Sequence, residues 1–211
     1  QYVTAGMTVK ALSEAAIRYS DNTAMNLLVQ ELGGLSVINV YAKKLGDETF
    51  RQDNIWPEEA NSGGMDISDS STPANMAANL NQLIFNDSLE APQKKLLRTW
   101  MLQCTTGKNR IRAGIPKHWQ VAHKTGSGSL YGTTNDIAVI FPDKCSPIIM
   151  AVYYTNNQKE AKLNERIVAD VTKKAIDSLA EHDKCLKHAM QVGHKGKKRP
   201  PVNLSWKRCI I

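Results

Sequence analysis

Apolar residues recur every three or four positions through the first half of the chain and give way to continuous apolar runs in the second. The spacing of Val9, Leu12, Ala16 and Ile17 predicts a helix over 7–19, with Thr8 as its N-cap. Ser20, Asp21 and Asn22 then interrupt the pattern with short polar residues that favour turns. Met25, Leu28, Val29 and Leu32 form the stripe of a second helix over 23–32, stopped by Gly33 and Gly34. A third helix is predicted over 36–45, capped by Ser36 and ended by Gly46. Residues 47–71 have little periodicity and several turn formers, and a loop of that length inside a compact domain is usually functional. Thr72 and Pro73 open a helix to about Phe85, with a capping residue followed by proline in the first turn. Another helix is expected over 92–102.

The period then changes. Segments 119–124, 136–141 (DIAVIF) and 147–154 (PIIMAVYY) have strand length, and the last two are rich in β-branched and aromatic residues. Gly126, Gly128 and Gly132 predict a tight connection between the first two strands. A long helix follows over about 160–180, with Ile167, Val168, Val171, Ala175 and Leu179 as its apolar face. Trp100 and Trp119 are expected in the core. From Cys185 onward no amphipathic pattern is visible, and no internal repeat occurs. The predicted fold class is α+β: a helical block, then antiparallel strands, then a closing helix.

Composition adds limits rather than a function. The chain has 211 residues, 42% hydrophobic and 22% charged, which suits a globular domain and excludes collagen-like and low-complexity classes. No apolar run is long enough for a membrane-spanning helix, so no membrane partner is expected. The opening QYVTAGMTVK lacks the basic and apolar regions of a signal peptide. The net charge of +7 sits almost wholly in the last thirty-one residues, where eight Lys and Arg face two acids. A nucleic-acid partner would rest on that tail alone; a short basic end is more often simply solvated, and none is expected. The four cysteines (Cys104, Cys145, Cys185 and Cys209) form no CxxC pair and have no histidine at zinc-ligand spacing. Neither metal nor other cofactor is expected. The simplest reading is one or two buried thiols and two in a loose tail.

Two short motifs carry candidate chemistry. Ser20-Asp21-Asn22 lies in the break between two helices, and Lys124-Thr125-Gly126 ends a strand and precedes Ser127. Taken singly they have plain readings: Ser20 and Asn22 as helix caps, Asp21 as a binder of backbone N–H groups, Lys124 as a solvated strand-end lysine, and Arg110 as half of a surface ion pair. Read together and in this order, they resemble the motifs of the class A serine β-lactamases, within the penicillin-recognising serine hydrolases. Further segments are similar to that family: GMTVKALSEAAIRYSDNTAMNLL, LGDETFR, STPANMA, TTGKNRIRAGIP and KTGSGSLYGTTNDIAVIFP. The resemblance covers about residues 5–180 and is nearest to extended-spectrum and carbapenemase-like branches.

The resemblance implies hydrolysis of a β-lactam amide through a serine acyl-enzyme. Ser20 would relay a proton to the departing ring nitrogen, since a hydroxyl both donates and accepts. Asn22 would hold the substrate's side-chain carbonyl. Lys124 would supply positive charge, and Thr125, Gly126 and Ser127 would line the carboxylate pocket. The Ser127 N–H would form half of an oxyanion hole. Arg110 matches a position from which some members add a guanidinium to the same pocket. Ser129 and Leu130 lengthen the segment after this motif and are expected to influence cephalosporin preference.

The sequence departs from the family in three places. No serine is followed by lysine three positions later, so the acylating Ser-x-x-Lys pair is missing. Residues 1–183 therefore read as the C-terminal portion of such a domain, with 184–211 as a disordered basic tail. That portion is expected to be inactive alone and poorly stable, with an apolar groove and an unpaired sheet edge exposed. The complete protein would be a periplasmic or secreted monomer, its signal peptide lying further upstream. Second, the loop RQDNIWPEEANSGG lacks the family's Glu followed four residues later by Asn. Trp56 or Pro57 falls on the Glu position, depending on register. Glu58 is the candidate for the base that activates the deacylating water; as plain loop acids, Glu58 and Glu59 would simply face solvent. Asp69 matches the acid of the family's loop-closing ion pair, Asn54 falls on its Arg, and Arg51 is a possible substitute. Third, the tail matches nothing in the family. Two other readings stay open: a relative of the penicillin-binding transpeptidases, and a non-catalytic remnant that binds β-lactams or peptidoglycan.

Overall fold

A computed structural model of the chain describes residues 5–57, 67–192 and 209–210. Five helices come first: α1 (Val9–Arg18), α2 (Asn22–Glu31), α3 (Leu35–Lys44), α4 (Pro73–Phe85) and α5 (Ala91–Leu102). A 3-10 turn over Ile111–Gly114 leads into β1 (Gln120–Gly128), β2 (Thr133–Phe141) and β3 (Ile148–Val152). Helices α6 (Glu165–His182) and α7 (Lys184–Gln191) follow, and Cys209–Ile210 form a short β4. The sheet order is β1-β2-β3-β4, antiparallel except for the parallel β3–β4 pair. This is the expected α+β arrangement.

The caps follow the polar punctuation. Thr8, Asp21 and Thr72 accept the N–H of Ala11, Ala24 and Asn75 at the starts of α1, α2 and α4. Ser36 is not a cap; Gly34, at φ +106°, turns the chain into α3 one residue earlier than expected.

Two apolar clusters sandwich the sheet. One joins Ile111, Trp119, Ile140, Ile148 and Met150 to Val168 and Ile176 of α6. The other joins Ala122, Val139 and Ile149 to Leu80 and Ile84 of α4 and Met101 of α5. Adjacent β2 residues therefore face opposite clusters, which explains an apolar run without polar alternation. Trp119 is buried as expected, whereas Trp100 is only partly so. The face of α6 is rotated from the predicted one: Val171 is exposed, and Thr172 and Ile176 are buried. Thr172 tolerates burial because its hydroxyl donates to Val168 O at 2.7 Å within the helix. The exposed apolar side chains Leu27, Leu32, Val37, Val40 and Tyr41 lie on α2 and α3 and their boundary. β1 has one neighbouring strand among the described residues.

The segment from 184 departs from its reading as a disordered tail. Residues 184–191 form α7, with Leu186 and Ala189 buried against the first cluster and Asp183 capping its first turn. Cys185, placed in a loose tail by the sequence, forms a disulfide with Cys145. The eight-residue helix is too short for a full apolar stripe to show in sequence, and covalent pairing leaves no local pattern at all.

Candidate functional site

Ser20 follows the end of α1 with φ at +57°, a left-handed conformation that a serine adopts only at a cost. Its backbone turns the chain from α1 into α2 and points the side chain at β1. There Lys124 Nζ donates to Ser20 Oγ at 2.8 Å and to Thr125 O at 2.7 Å. The two motifs, 104 residues apart in sequence, thus meet through one hydrogen bond. Burial pushes the Lys124 ammonium below the usual lysine range, and nearby Arg110 adds to this; the Cys104 and Asp136 charges oppose it. Replacing Ser20 by glycine is expected to raise stability by about 0.5–1 kcal/mol by relieving the left-handed strain. It should also remove the hydroxyl that accepts from Lys124; a thermal melt of the variant beside the parent checks the change in stability.

The strand reading of 119–124 was too short. Gly126 pairs with Asn135 and Ser127 with Thr134, so the motif lies within a ladder continuing to Gly128 and the turn comes afterwards. Thr125 is buried, and its hydroxyl lies 2.7 Å from that of Thr106. Gly107 permits this approach: a Cβ there would stand 2.3 Å from Thr125 Cγ2. Gly126 and Ser127 are exposed beside it.

Arg110 is 4% exposed, and its guanidinium makes four hydrogen bonds. It donates to Gly126 O at 2.8 Å, Asn135 O at 2.7 Å, Ser127 Oγ at 2.7 Å and Glu165 Oε1 at 3.2 Å. Asn109 holds the other oxygen of Glu165 at 2.9 Å. Arg110 therefore fixes the shape of the Gly126–Ser127 edge. The plain surface-pair reading does not fit a guanidinium this deeply buried.

Asn22 is the first residue of α2, exposed, with its backbone placed by the Asp21 cap. Asp21 thus has the structural role its position suggested. On α2, Asn26 Nδ2 donates to Trp56 O at 2.6 Å, tying the long loop to the helix. Glu58 and Glu59 lie outside the described residues. Asp69 closes the loop without an arginine: it accepts from the N–H groups of Asp53 and Asn54 and from Asn54 Nδ2. Arg51 forms an ion pair with Asp53 at 2.8 Å, on the strand of loop that Asp69 also holds.

Sequence reasoning missed two buried groups. Asp47 is 1% exposed and accepts from the Thr49 and Phe50 N–H groups, the Thr49 hydroxyl, Asn75 and Asn79. Asp136 is fully buried, accepts from the Ile111 N–H, and has His123 Nδ1 at 3.2 Å from both its oxygens. Burial holds the Asp136 carboxyl above its usual range despite the His123 hydrogen bond that pulls the other way. An acid at the start of an otherwise apolar strand, DIAVIF, was the available signal. Among the described residues no cluster of three or more metal-ligating side chains occurs.

Comparison with known proteins gives concordant results. The model of the β-lactamase enzyme family matches residues 1–179. The chain is 42% identical to β-lactamase OXY-2 of Klebsiella oxytoca over 179 residues, covering 85% of this chain and 61% of that protein. It is 42% identical to the carbapenem-hydrolysing β-lactamase KPC of the same organism over 180 residues, with the same coverage. The crystal structure of a β-lactamase from Streptosporangium roseum superposes with a TM-score of 0.82 at 39% identity, covering 85% of this chain and 68% of that one. The chain thus spans about three fifths of the length of the curated relatives it matches.

Proposed function

Because this chain belongs to the β-lactamase enzyme family, we propose that its two motifs form the proton-relaying and carboxylate-binding side of a class A serine β-lactamase site. The observation that carries this reading is the 2.8 Å contact between Lys124 Nζ and Ser20 Oγ. A lysine whose charge is disfavoured by burial, bonded to a hydroxyl, can hold and pass a proton as a β-lactam nitrogen departs. A carboxylate on the substrate would restore a negative partner to Lys124. Thr125 and Ser127, both on β1, would contact it, and Arg110 stiffens the edge. Asn22, at the exposed start of α2, would hold the substrate's side-chain carbonyl. Glu58 remains the proposed deacylation base, the nearest acid to Trp56 in sequence. Ser129 and Leu130 would shape cephalosporin preference. The reaction needs no metal.

The acylating Ser-x-x-Lys pair is not among these 211 residues, which favours reversible β-lactam binding as the activity of the chain by itself. Incubation with a fluorescent penicillin tests this. Polarisation should report reversible binding, weakened at least about tenfold by Lys124→Ala, with no covalent band on a denaturing gel. Binding unaffected by that substitution would remove the proposed role of Lys124. The Cys145–Cys185 disulfide supports export to an oxidising compartment, periplasmic or extracellular. The complete protein is proposed to act as a monomer.

A further inference from the structure

We propose that the Cys145–Cys185 disulfide exchanges with the thiol of Cys209, so that the covalent clamp passes between α7 and the C-terminal strand. β4 pairs in parallel with the start of β3: Cys209 stands opposite Ile148, and Ile210 opposite Ile149. Cys145 precedes Ile148 by three residues, at the same end of the sheet, and is bonded to Cys185 in the first turn of α7. The backbone thus gathers three of the four cysteines at one end of the sheet.

The Cα atoms of Cys145 and Cys185 are 5.8 Å apart. From its place opposite Ile148, Cys209 is about 11 Å from Cys145 at ordinary strand spacing, too far for a bond. β4 is only two residues long, so few ladder hydrogen bonds fix its register. A two-residue slip toward the start of β3 keeps the strand's faces and brings Cys209 level with Ser146. That is about 6 Å from Cys145, a separation that a disulfide spans. The sequence favours the chemistry as well. Cys145, Cys185 and Cys209 each follow a basic residue: Lys144, Lys184 and Arg208. A neighbouring cation favours the thiolate, both as attacker and as leaving group. Cys185 is exposed, so the existing bond lies within reach of solvent.

The step is thiol–disulfide exchange. The Cys209 thiol gives its proton to solvent, and its thiolate attacks Cys145 Sγ. The Cys209–Cys145 bond forms, the Cys145–Cys185 bond breaks, and Cys185 leaves as a thiolate that takes a proton from solvent. No oxidant or reductant is consumed. The product ties β4 to the β2–β3 connection and frees the first turn of α7, leaving Leu186 and Ala189 to hold that helix. The tail strand and α7 therefore compete for one sulfur. The Lys124–Ser20 contact takes no part in the exchange.

The oxidised full chain is brought to pH 8 without added thiol, quenched in acid at intervals, alkylated and mapped by non-reducing digestion. A Cys145–Cys209 linked peptide is expected, reaching at least about a tenth of all Cys145, with matching alkylation of Cys185. Its rate should not change with protein concentration, and Cys104→Ser should leave it intact. Ile210→Pro, which disrupts the strand pairing, should slow the exchange at least about tenfold. Moving the thiol away from β4, by Cys209→Ser with Val202→Cys, should slow it by a similar factor. No linked peptide, a rate proportional to concentration, or exchange that neither of these last two variants slows would overturn the proposal.

Discussion

Replacing Asp47 by alanine will destabilise the chain by on the order of 3–5 kcal/mol, lowering the melting temperature by about 10 °C or more. One buried carboxylate organises the junction between α3, the long loop and α4. It receives two backbone N–H groups, a threonine hydroxyl, and the side-chain amides of Asn75 and Asn79 from the first turns of α4. Alanine leaves several of those donors buried and unpaired, which costs more than the bonds themselves are worth. Burial alone would raise the Asp47 pKa, but the hydrogen bonds from Thr49, Asn79 and Phe50 outweigh it and leave the carboxyl below its usual range. The sign then follows from linkage. A carboxyl with a depressed folded pKa adds stability that is present above its unfolded value, about 3.8, and is lost as pH falls through the folded one. Denaturant melts between pH 5 and pH 2 should show native stability dropping faster than that of Asp47→Asn. Parallel curves would mean that the carboxylate's charge contributes nothing.

Reducing the Cys145–Cys185 disulfide, or replacing Cys185 by serine, should cost about 3–4 kcal/mol from loop-closure entropy over a separation of 40 residues. The bond clamps the β2–β3 connection to the first turn of α7, whose remaining hold on the core is largely Leu186 and Ala189. An eight-residue helix has little intrinsic stability, so it should be the first element to open. Hydrogen exchange at 186–191 should accelerate on reduction well before exchange in β2, and the melting temperature should fall by about 10 °C. An unchanged melt in reductant would show that packing alone holds α7.

How legible all this was in the sequence depended on range. Helix boundaries near Thr8, Asp21 and Thr72 were readable because a cap acts within three residues. The alternation of β2 between two cores was not, since a strand buried on both faces carries no period. At the site, the Lys124–Ser20 pairing was inferable only because two motifs appeared together, in order; neither predicts a contact across a hundred residues. The hydrogen bonds of Arg110 to Gly126, Asn135, Ser127 and Glu165 were not readable. Its partners come from three elements, which no local pattern announces. The Thr106–Thr125 and His123–Asp136 pairs were hidden for the same reason. Asp47 looked like an ordinary turn residue because burial, unlike turn propensity, is decided by what packs on it from α4.

Ser20, held in a left-handed turn, sets two selective pressures against each other at one codon. A library screened only for solubility or heat resistance should enrich glycine there, because glycine suits that backbone best. A library screened for β-lactam binding should retain serine, because the hydroxyl completes the contact with Lys124. The order of screening then matters: rounds that begin with stability would discard the hydroxyl that the proposed site uses, and later rounds would have to recover it against the slope.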